Sequence, residues 1–286
     1  MEKFPKVFII ILNYNGKAFI TSTLNSVFKL NYLHFEVILT DNDSNDGSFE
    51  SSKKLFPRAI FIKNSANLGF ASGNNVGVKY ALERGADYIW LLNYDTQVKK
   101  NSLSILVEEM EKDKTIGLAS PLIKKGNTDK NWFSGGKINW LKMKAVHEEK
   151  ELEENYFHSD FISGCAVLIR AEVFKKIGLL DEDYFLYWED ADFSLKAKRA
   201  GYRLLISPKS KIFHLEISEK KKAAKIYWLV VSGLIFFQKN SPLWLRPYIF
   251  IYILLRKIKN YFDFRFRYSK TAEMVRQAYK DFAKYV

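Results

Sequence analysis

The first hundred residues of the chain alternate between short runs of apolar residues and longer segments with helical periodicity. The runs predict strands at residues 7–12, 35–40, 59–62 and 88–92, and the periodic segments predict helices at residues 19–30, 49–56 and 74–84. Continuous apolar strands that alternate with amphipathic helices are typical of a parallel sheet covered on both faces. The pattern therefore predicts a doubly wound α/β domain.

The pattern changes after residue 124. Residues 124–160 are polar and irregular, which predicts excursions from the sheet and an edge hairpin that is well placed to act as a mobile lid. Further strands are expected at residues 161–169 and 203–206, and further helices at residues 171–177 and 190–200. After His214 the chain becomes basic and aromatic, so the α/β pattern gives way to a C-terminal helical extension.

Polar side chains follow three of the predicted strands at the point where each strand ends. The segments are Asn13-Tyr14-Asn15-Gly16 after the first strand, Asp41-Asn42-Asp43-Ser44-Asn45-Asp46-Gly47-Ser48 after the second, and Asn93-Tyr94-Asp95-Thr96 after the fourth. Ligands of open α/β sheets bind beyond the carboxyl ends of the strands. The sequence therefore predicts a binding site at this edge of the sheet.

Asp95 and His214 are candidate metal ligands. A carboxylate at a strand end is well placed to hold a hard divalent cation, and histidine is the commonest ligand of transition metals. Each residue also has an ordinary structural interpretation, since Asp95 would equally cap the next turn and a single histidine is often structural. On their own, these two residues leave both interpretations open.

Glu189 and Asp190 follow an aromatic run and are candidates for acid–base chemistry. Loss of water around a carboxyl group raises its pKa toward that of a useful base. The alternative for Asp190, and for Asp192 after it, is a cap on the helix predicted at residues 190–200, because acidic side chains stabilise the first turn of a helix.

The segment Asn67-Leu68-Gly69-Phe70-Ala71-Ser72-Gly73-Asn74-Asn75 is a candidate phosphate contact. Glycine lets the backbone approach a ligand, and a helix N-terminus favours phosphate. The alternative is an ordinary capped loop. The segment is neither the dinucleotide-binding fingerprint nor a Walker-type loop.

Composition and charge narrow the range of protein classes and indicate where a charged partner would bind. The 286 residues are 48% hydrophobic and 27% charged, which excludes a disordered chain or a disulfide-rich miniprotein. The single cysteine, Cys165, favours a reducing, cytoplasmic setting. The formal charge of +13 is uneven, because residues 1–195 carry −3 and residues 196–286 carry +16. An anionic partner is therefore expected in the last third of the chain.

The C-terminal third alternates basic residues with bulky apolar ones. Its longest charge-free stretch, residues 226–238, is too short for a span of about 20 residues. We expect a catalytic domain at residues 1–218, and at residues 219–286 an extension of interfacial helices that binds an anionic membrane surface. The alternatives are a helical cap with a solvated basic face and a nucleic-acid surface, although the chain has no recognised nucleic-acid motif and no such partner is expected.

Taken in order, these segments resemble the family 2 inverting glycosyltransferases of GT-A fold, in particular the bacterial rhamnosyltransferase-like and galactofuranosyltransferase-like branch. The resemblance covers roughly residues 5–218. Besides the segments given above, it depends on Ser163-Gly164-Cys165-Ala166 and Tyr187-Trp188-Glu189-Asp190-Ala191-Asp192. It implies a GT-A fold with a mostly parallel central sheet flanked by helices.

The resemblance also implies a role for individual residues. Asp190 matches the general base, and Asp95 with His214 matches a site for Mg²⁺ or Mn²⁺, although Asn93 stands where the family's metal motif has its first aspartate. The implied contacts of the nucleotide sugar are Tyr14, Asn15, Asp41, Asn42, Asn67, Gly69, Asn74, Asn93 and Asp95. The implied acceptor contacts are Ser163, Gly164, Trp188 and Glu189.

The activity that the resemblance implies is transfer of a rhamnose-like or galactofuranose-like sugar from a UDP- or dTDP-linked donor. The acceptor is expected to be a lipid-linked or surface-polysaccharide hydroxyl, reached from the inner face of the cell membrane. A sugar nucleotidyltransferase, and a non-catalytic glycan-binding or membrane-scaffold protein that keeps the fold, stay open as alternatives.

Overall fold

The computed structural model describes residues 4–215 and 222–285, with the side chains of residues 222–224 left aside. The strands are β1 (Val7–Asn13), β2 (Phe35–Asp41), β3 (Ile60–Lys63), β4 (Tyr88–Asn93), β5 (Thr96–Val98), β6 (Ile116–Lys125), β7 (Asn131–Phe133), β8 (Gly136–Asn139), β9 (Lys144–His147), β10 (Ala166–Arg170) and β11 (Arg203–His214). The helices are α1 (Ile20–Val27), α2 (Ser48–Leu55), α3 (Gly69–Glu83), α4 (Ser102–Lys112), α5 (Ala171–Ile177), α6 (Glu189–Arg199), α7 (Lys222–Asn240), α8 (Arg246–Phe266) and α9 (Lys270–Phe282), with a short 3₁₀ helix at Leu243–Leu245.

A twisted sheet forms the centre of the fold. Its strand order is β3-β2-β1-β4-β10-β6-β11-β5, with β7 paired to β6. The first half follows the predicted pattern, because β1 pairs in parallel with both β2 and β4, and β2 pairs in parallel with β3. Residues Val7–Ile11 of β1 are buried completely, as their continuous apolar run requires for a strand covered on both faces.

The register of these parallel strands brings their polar ends level. Asn13 lies opposite Asp41, and Leu12 lies opposite Asn93. The residues that follow β1, β2 and β4 therefore meet at one edge of the sheet, as predicted.

The second half of the sheet is mixed. β10 runs antiparallel to both β4 and β6, and β11 is parallel to β6 but antiparallel to β5. Because β10 is antiparallel to β4, it begins at Ala166, opposite Leu92 near the carboxyl end of β4. The strand predicted at residues 161–169 is consequently shorter, and residues 163–165 lie at the same edge as the polar strand ends.

Helix α3 begins earlier than predicted, at Gly69 instead of residue 74. The segment expected to be a loop before the helix is therefore mostly its first two turns. Gly69 has a φ of +79°, and Asn67 accepts a hydrogen bond from its N–H at 3.0 Å, so this asparagine supports the start of the helix.

The hairpin expected within residues 124–160 is present as β8 and β9. Its turn lies against the C-terminal helices, because Tyr248 and Tyr252 of α8 donate hydrogen bonds to the backbone oxygens of Leu141 and Lys142. Trp140 packs against Phe236 and Phe237 of α7, with ring centroids 5.9 and 5.6 Å apart.

The C-terminal helices are attached to the α/β part through α7. Its residues Val231, Leu234, Ile235, Phe236 and Phe237 are buried in the common core. The domain boundary predicted between residues 218 and 219 lies outside the described residues. Among residues 4–215 and 222–285, no helix is both long enough and apolar enough to cross a membrane.

Candidate functional site

The loops after β1 and β2 are joined by a buried hydrogen-bond network around Asn13 and Asp41. The Asn13 side-chain amide donates to Asp41 at 2.6 Å and to the hydroxyls of Ser44 and Ser48 at 3.1 and 2.8 Å. Asp41 also accepts from the N–H and hydroxyl of Ser44. Asp41 is completely buried. Its carboxylate therefore lies below the surface of the cleft, where it holds the loop in place.

Tyr14 and Asn15 form the exposed part of the same edge. Tyr14 is 44% exposed. Asn15 adopts a left-handed conformation with φ +52°, receives a hydrogen bond from the N–H of Asn45 on its side-chain oxygen, and donates its own N–H to Ser44. The two loops are thereby fixed to each other, and the Tyr14 ring is presented to solvent.

Asn42 connects this edge to the start of α3. Its amide donates to the side chain of Asn67 at 3.1 Å and to the Gly69 backbone oxygen at 2.9 Å. Asn74 donates to the Phe70 backbone oxygen at 2.9 Å and is buried. Together with Gly69, these predicted donor contacts form one polar wall beside the N-terminus of α3.

Asp95, just before β5, and His214, the last residue of β11, are in contact. His214 Nε2 lies 3.3 Å from Asp95 Oδ2. Antiparallel pairing of β5 with β11 causes this contact, because Thr96 lies opposite His214. Asp95 is 3% exposed, and its Oδ1 has no hydrogen-bond partner among the described residues. A buried carboxylate oxygen without a partner beside an imidazole nitrogen fits a divalent cation.

This pair supplies part of a coordination sphere. In the described part of the chain, no three histidine, cysteine, aspartate or glutamate residues form a metal-binding group. The remaining ligands of a cation held by Asp95 and His214 would come from a bound anion or from water, as is usual where Mg²⁺ is bound through one or two carboxylates and substrate phosphates.

The His214 ring is covered by a tryptophan that sequence analysis did not find. The rings of Trp132 and His214 have centroids 4.5 Å apart, and Trp132 also contacts His147 at 4.6 Å. Burial and the neighbouring His214 lower the pKa of His147 to about 4, which keeps that ring neutral. No sequence signal connects residues 132 and 214, since only the pairing of β6 with β7 and β11 brings them together.

Asp190 lies in the first turn of α6, where it accepts hydrogen bonds from the N–H groups of Gly164 at 2.9 Å and Ala191 at 2.7 Å. Burial raises its pKa above the ordinary value, although these hydrogen bonds oppose the shift. A Cβ at Gly164 would lie 3.1 Å from the Phe70 ring. A larger residue at this position would therefore crowd Phe70 and displace the N–H that donates to Asp190.

Glu189 lies behind Asp190 and faces the interior. It is 4% exposed, its Oε2 has no described hydrogen-bond partner, and it lines a small cavity together with Phe70, Leu91 and Phe193. Burial and the neighbouring Asp190 carboxylate raise the pKa of Glu189 well above its ordinary value. Glu189 is therefore not presented to the open cleft in this structure.

The segment Gly164-Cys165 contacts the chain at both candidate carboxylates, Asp190 and Asp95. The N–H of Gly164 holds Asp190, and the backbone oxygen of Cys165 accepts from the N–H of Asn93, two residues before Asp95. Burial, together with the charges of Asp95 and Asp190, raises the pKa of the Cys165 thiol. The candidate metal ligand and the candidate base are thus neighbours of the same short segment.

The turn before Asp190 has a strained backbone and is held by contacts with α7. Tyr187 and Trp188 both have left-handed conformations, with φ of +68° and +72°. Helix α7 holds this turn, because Ser232 donates to the Leu186 backbone oxygen at 2.9 Å and the Trp188 indole donates to the Leu229 backbone oxygen at 3.2 Å.

The other predicted acceptor residues lie around this turn. Ser163 is buried, and its hydroxyl accepts from the N–H of Cys165. Trp188 is 6% exposed, packs against Phe236 and Phe237, and lines a pocket below α7. The structure therefore brings the predicted base, Ser163, Gly164 and Trp188 together at one end of α6.

A family comparison decides between the enzyme classes considered above. The family described as glycosyl transferase family 2 matches residues 8–178, which include β1 through α5. The chain belongs to glycosyl transferase family 2. The resemblance drawn from the motifs is thereby confirmed.

Curated relatives of this glycosyltransferase include several rhamnosyltransferases. N-acetylglucosaminyl-diphospho-decaprenol L-rhamnosyltransferase of Mycobacterium tuberculosis is 23% identical over 62% of this chain and 66% of the relative, so the match spans just under two thirds of that protein. The dTDP-rhamnosyl transferase RfbF of Shigella flexneri is 24% identical over 73% of this chain and 68% of its own length.

Solved structures confirm the GT-A fold. GalNAc-T7, determined with UDP, GalNAc and Mn²⁺, superposes with a TM-score of 0.65 over 81% of this chain and 48% of its own, at 22% identity. The mannosyltransferase PcManGT of Pyrobaculum calidifontis, determined with GDP-Man and Mn²⁺, gives a TM-score of 0.62 over 99% of this chain and 76% of its own, at 15% identity.

Proposed function

We propose that this glycosyltransferase transfers a rhamnose-like sugar, with inversion, from a nucleoside diphosphate to an acceptor hydroxyl. The observation that supports this proposal most directly is that Asp190 and Asp95 both lie near the same short segment, Gly164-Cys165. One carboxylate carries a raised pKa and the other has an oxygen without a partner beside an imidazole. Two carboxylates in different environments suit a base and a metal ligand respectively.

Asp190 acts as the general base in a single displacement. It takes the proton from the acceptor hydroxyl as that oxygen bonds to the anomeric carbon, and the bond from this carbon to the diphosphate oxygen breaks on the opposite face. Gly164 keeps the carboxylate oriented through its N–H, while burial keeps its basicity above that of an exposed aspartate.

Asp95 and His214 are the residues that would hold a divalent cation, Mg²⁺ or Mn²⁺. When bound, the cation neutralises the negative charge that builds up on the leaving diphosphate. The buried Asp95 Oδ1 supports this assignment, because it has no hydrogen-bond partner among the described residues. A bound cation would compensate for the water that this oxygen loses on burial.

The donor nucleotide, UDP- or dTDP-linked, lies along the edge between the β1 and β2 loops and α3. Tyr14 and Asn15 contact the base from the exposed side, over the loop that Asp41 holds. Asn42, Asn67, Gly69 and Asn74 form the wall beside the sugar and diphosphate, and Asn93 with Asp95 closes the site at β4. The relatives named as rhamnosyltransferases support a rhamnose donor.

The acceptor side comprises Ser163, Gly164 and Trp188, with Glu189 supporting Asp190 from behind. We infer a lipid-linked or growing polysaccharide acceptor at the cytoplasmic face of the membrane, since one relative is named for a diphospho-decaprenol acceptor. The exposed apolar residues and basic residues of α8 support contact with an anionic bilayer.

A panel of nucleoside diphosphate sugars tests the proposed donor. A ligand that binds only the folded state raises the melting temperature in proportion to the logarithm of its concentration over Kd. We expect dTDP-rhamnose with Mn²⁺ to give the largest shift and to be consumed when a suitable acceptor is added. Asp95→Ala should abolish the part of the shift that depends on Mn²⁺. A sugar donor that binds as well without Mn²⁺ would contradict the metal assignment.

A further inference from the structure

A pocket with a volume of about 250 Å³ lies between the β8–β9 turn and helices α7, α8 and α9. We call it the junction pocket. The residues that line it include cations and aromatic rings: Lys142, Met143, Lys144, Ala145, Trp188, Leu229, Val230, Gly233, Leu234, Phe237, Tyr252, Ile253, Arg256 and Tyr279.

The junction pocket shares a wall with the turn that precedes the proposed catalytic base. Trp188 is one of its walls and lies two residues before Asp190. The β8–β9 turn is another wall, held in place by the hydrogen bonds from Tyr248 and Tyr252. A ligand seated in this pocket would therefore reach the acceptor side of the site.

The charges of the junction pocket are of one sign. Lys142, Lys144 and Arg256 are all exposed at its walls, and none of the described lining residues is acidic. Arg256 also interacts with Tyr279, which limits the directions in which its guanidinium points. Three cations around a pocket of this size suit a ligand with several negative charges, such as a diphosphate.

A second pocket continues from the first along α8. Its volume is about 340 Å³, and the two pockets share Phe237 and Ile253 in their walls. Its lining is largely apolar, formed by Phe237, Gln238, Arg246, Ile249, Phe250, Ile253, Leu254, Lys257 and Phe282. We call it the apolar groove, and its composition suits a hydrocarbon chain.

We propose that these two pockets bind the lipid diphosphate of the acceptor, with the diphosphate in the junction pocket and the hydrocarbon chain in the apolar groove. The inference rests on the proposed function, because it assumes a lipid-linked acceptor. It adds a site for the part of the acceptor that does not react. The two pockets share Phe237 and Ile253 in their walls, so one ligand with a charged group and a hydrocarbon chain can occupy both.

The position of the cations favours this ligand over a membrane phospholipid. Lys142 and Lys144 belong to the hairpin beside Trp188, whereas the apolar side chains most exposed to a bilayer include Trp244 at 78% and Phe250 at 70%. Trp244 lines neither pocket, so a phospholipid held at Trp244 would leave the junction pocket empty. Phe250 and Leu254 line the groove and are also exposed, so a chain can enter the groove from the bilayer.

Binding of geranylgeranyl diphosphate to the full chain, measured by calorimetry without vesicles, tests the proposal. We expect saturable binding that is at least about tenfold tighter than that of inorganic diphosphate or of geranylgeraniol, because each of these fills one pocket only. The double variant Lys144→Ala/Arg256→Ala should weaken it by about tenfold. Leu254→Glu, at a side chain that is 47% exposed, should weaken it through the groove.

The matched control is Lys175→Ala/Lys209→Ala, which removes two exposed lysines far from these pockets in sequence and should leave binding unchanged. Equal affinity for inorganic diphosphate would overturn the role of the groove, and equal affinity for geranylgeraniol would overturn the role of the cations. Competition by a dispersed short-chain phosphatidylglycerol at equal concentration would instead assign the site to phospholipid.

Transfer assays separate this proposal from the proposed function. With a lipid-linked acceptor, Lys144→Ala/Arg256→Ala should raise KM with little change in kcat, and with a short acceptor that lacks both the diphosphate and the lipid it should change neither. Equal effects on both acceptors would overturn the lipid site while leaving the transferase intact. If no donor is transferred at all, the proposed function fails, and the binding experiment still decides whether the pockets take a lipid diphosphate.

Discussion

Two opposing effects act on the pKa of Asp190. Burial raises the pKa of its carboxyl group, and hydrogen bonds from the N–H groups of Gly164 and Ala191 lower it, with burial as the larger effect. A base must be ionised to accept a proton, so transfer requires a pH above this raised pKa. With Asp190 as the proposed base, we expect its environment to set the acidic limit of the activity.

The pH dependence of kcat/KM provides a measurement of that limit. We expect the rate to fall on the acidic side at a pH above the ordinary range of an aspartate, because the free enzyme's base then takes up a proton. Gly164→Pro, which removes the N–H that donates to Asp190, should move this fall to still higher pH. An acidic limb at the position of an exposed aspartate would contradict the assignment.

Glu189 offers a test through stability. Its pKa is raised in the folded state, so the stability that its neutral form contributes is complete below the unfolded pKa and is lost as the pH rises through the folded pKa. Glu189→Gln should therefore melt at a higher temperature than the parent at alkaline pH, with a smaller difference at pH 4. The comparison is made by thermal unfolding of both proteins across this pH range. A melting difference that does not vary with pH would contradict this account.

Sequence patterns identified some site residues and missed others for a physical reason. Asp95, Asp190 and His214 follow apolar runs, so their position at strand or helix ends can be read locally. The burial of Glu189 and the contact of Trp132 with His214 depend on pairing between distant strands, which leaves no local signal. The same limit applies to the network of Asn13, which joins two loops about 30 residues apart.

At the scale of elements, α7 is a structural support for the catalytic turn. The helix buries one face in the core and holds Leu186 and Trp188 by hydrogen bonds, while Asn240 at its end donates to Asp192 of α6 at 2.7 Å. The left-handed conformations of Tyr187 and Trp188 persist because these contacts fix them. Part of the extension is thus built into the candidate active site.

Gly233 of α7 tests this support in a graded way. A Cβ at this position would lie 3.1 Å from the indole nitrogen of Trp188. We expect Gly233→Ala to have a small effect, and Gly233→Leu to cost about 1–3 kcal/mol and to lower kcat by displacing the turn. The two variants are compared by denaturant unfolding and by transfer rate. Equal rates for the parent and Gly233→Leu would show that the turn does not depend on α7.

The first four strands were predictable because each is a continuous apolar run with polar residues at its end. The antiparallel insertion of β10 was not, since its sequence is equally apolar in either direction and only the topology sets its orientation. The start of α3 was misplaced because Gly69 and Gly73 are typical of loops. A Cβ at Gly73 would lie 2.7 Å from Leu12, so tertiary packing explains this glycine inside a helix.

At the scale of the whole molecule, charge and exposed apolar surface coincide in the C-terminal part. Residues 196–286 carry +16, and α8 with the preceding 3₁₀ helix exposes large apolar side chains that include Leu243, Trp244, Phe250 and Phe266. Exposed apolar residues among cations are typical of surfaces that contact anionic membranes. We therefore expect the basic part of the chain to contact the membrane, while the near-neutral remainder carries the candidate site.

Vesicle co-sedimentation tests the proposed membrane contact. The full chain should bind vesicles that contain phosphatidylglycerol, and binding should weaken as salt is added. Trp244→Ser/Phe250→Ser should reduce the partition coefficient by about tenfold or more, because two aromatic side chains no longer enter the lipid. The control Leu33→Ser/Leu55→Ser removes two exposed leucines from the α/β part and should have no effect. Equal losses in both variants would contradict the assigned surface.

The most direct test of the central claim is the initial rate of sugar transfer by Asp190→Asn with Mn²⁺ and a saturating nucleotide sugar. Asparagine keeps the shape of the side chain but cannot take the acceptor proton. We predict a loss in kcat of about 10²- to 10⁴-fold, with donor affinity unchanged. An Asp190→Asn enzyme that transfers sugar at the parent rate would contradict the account.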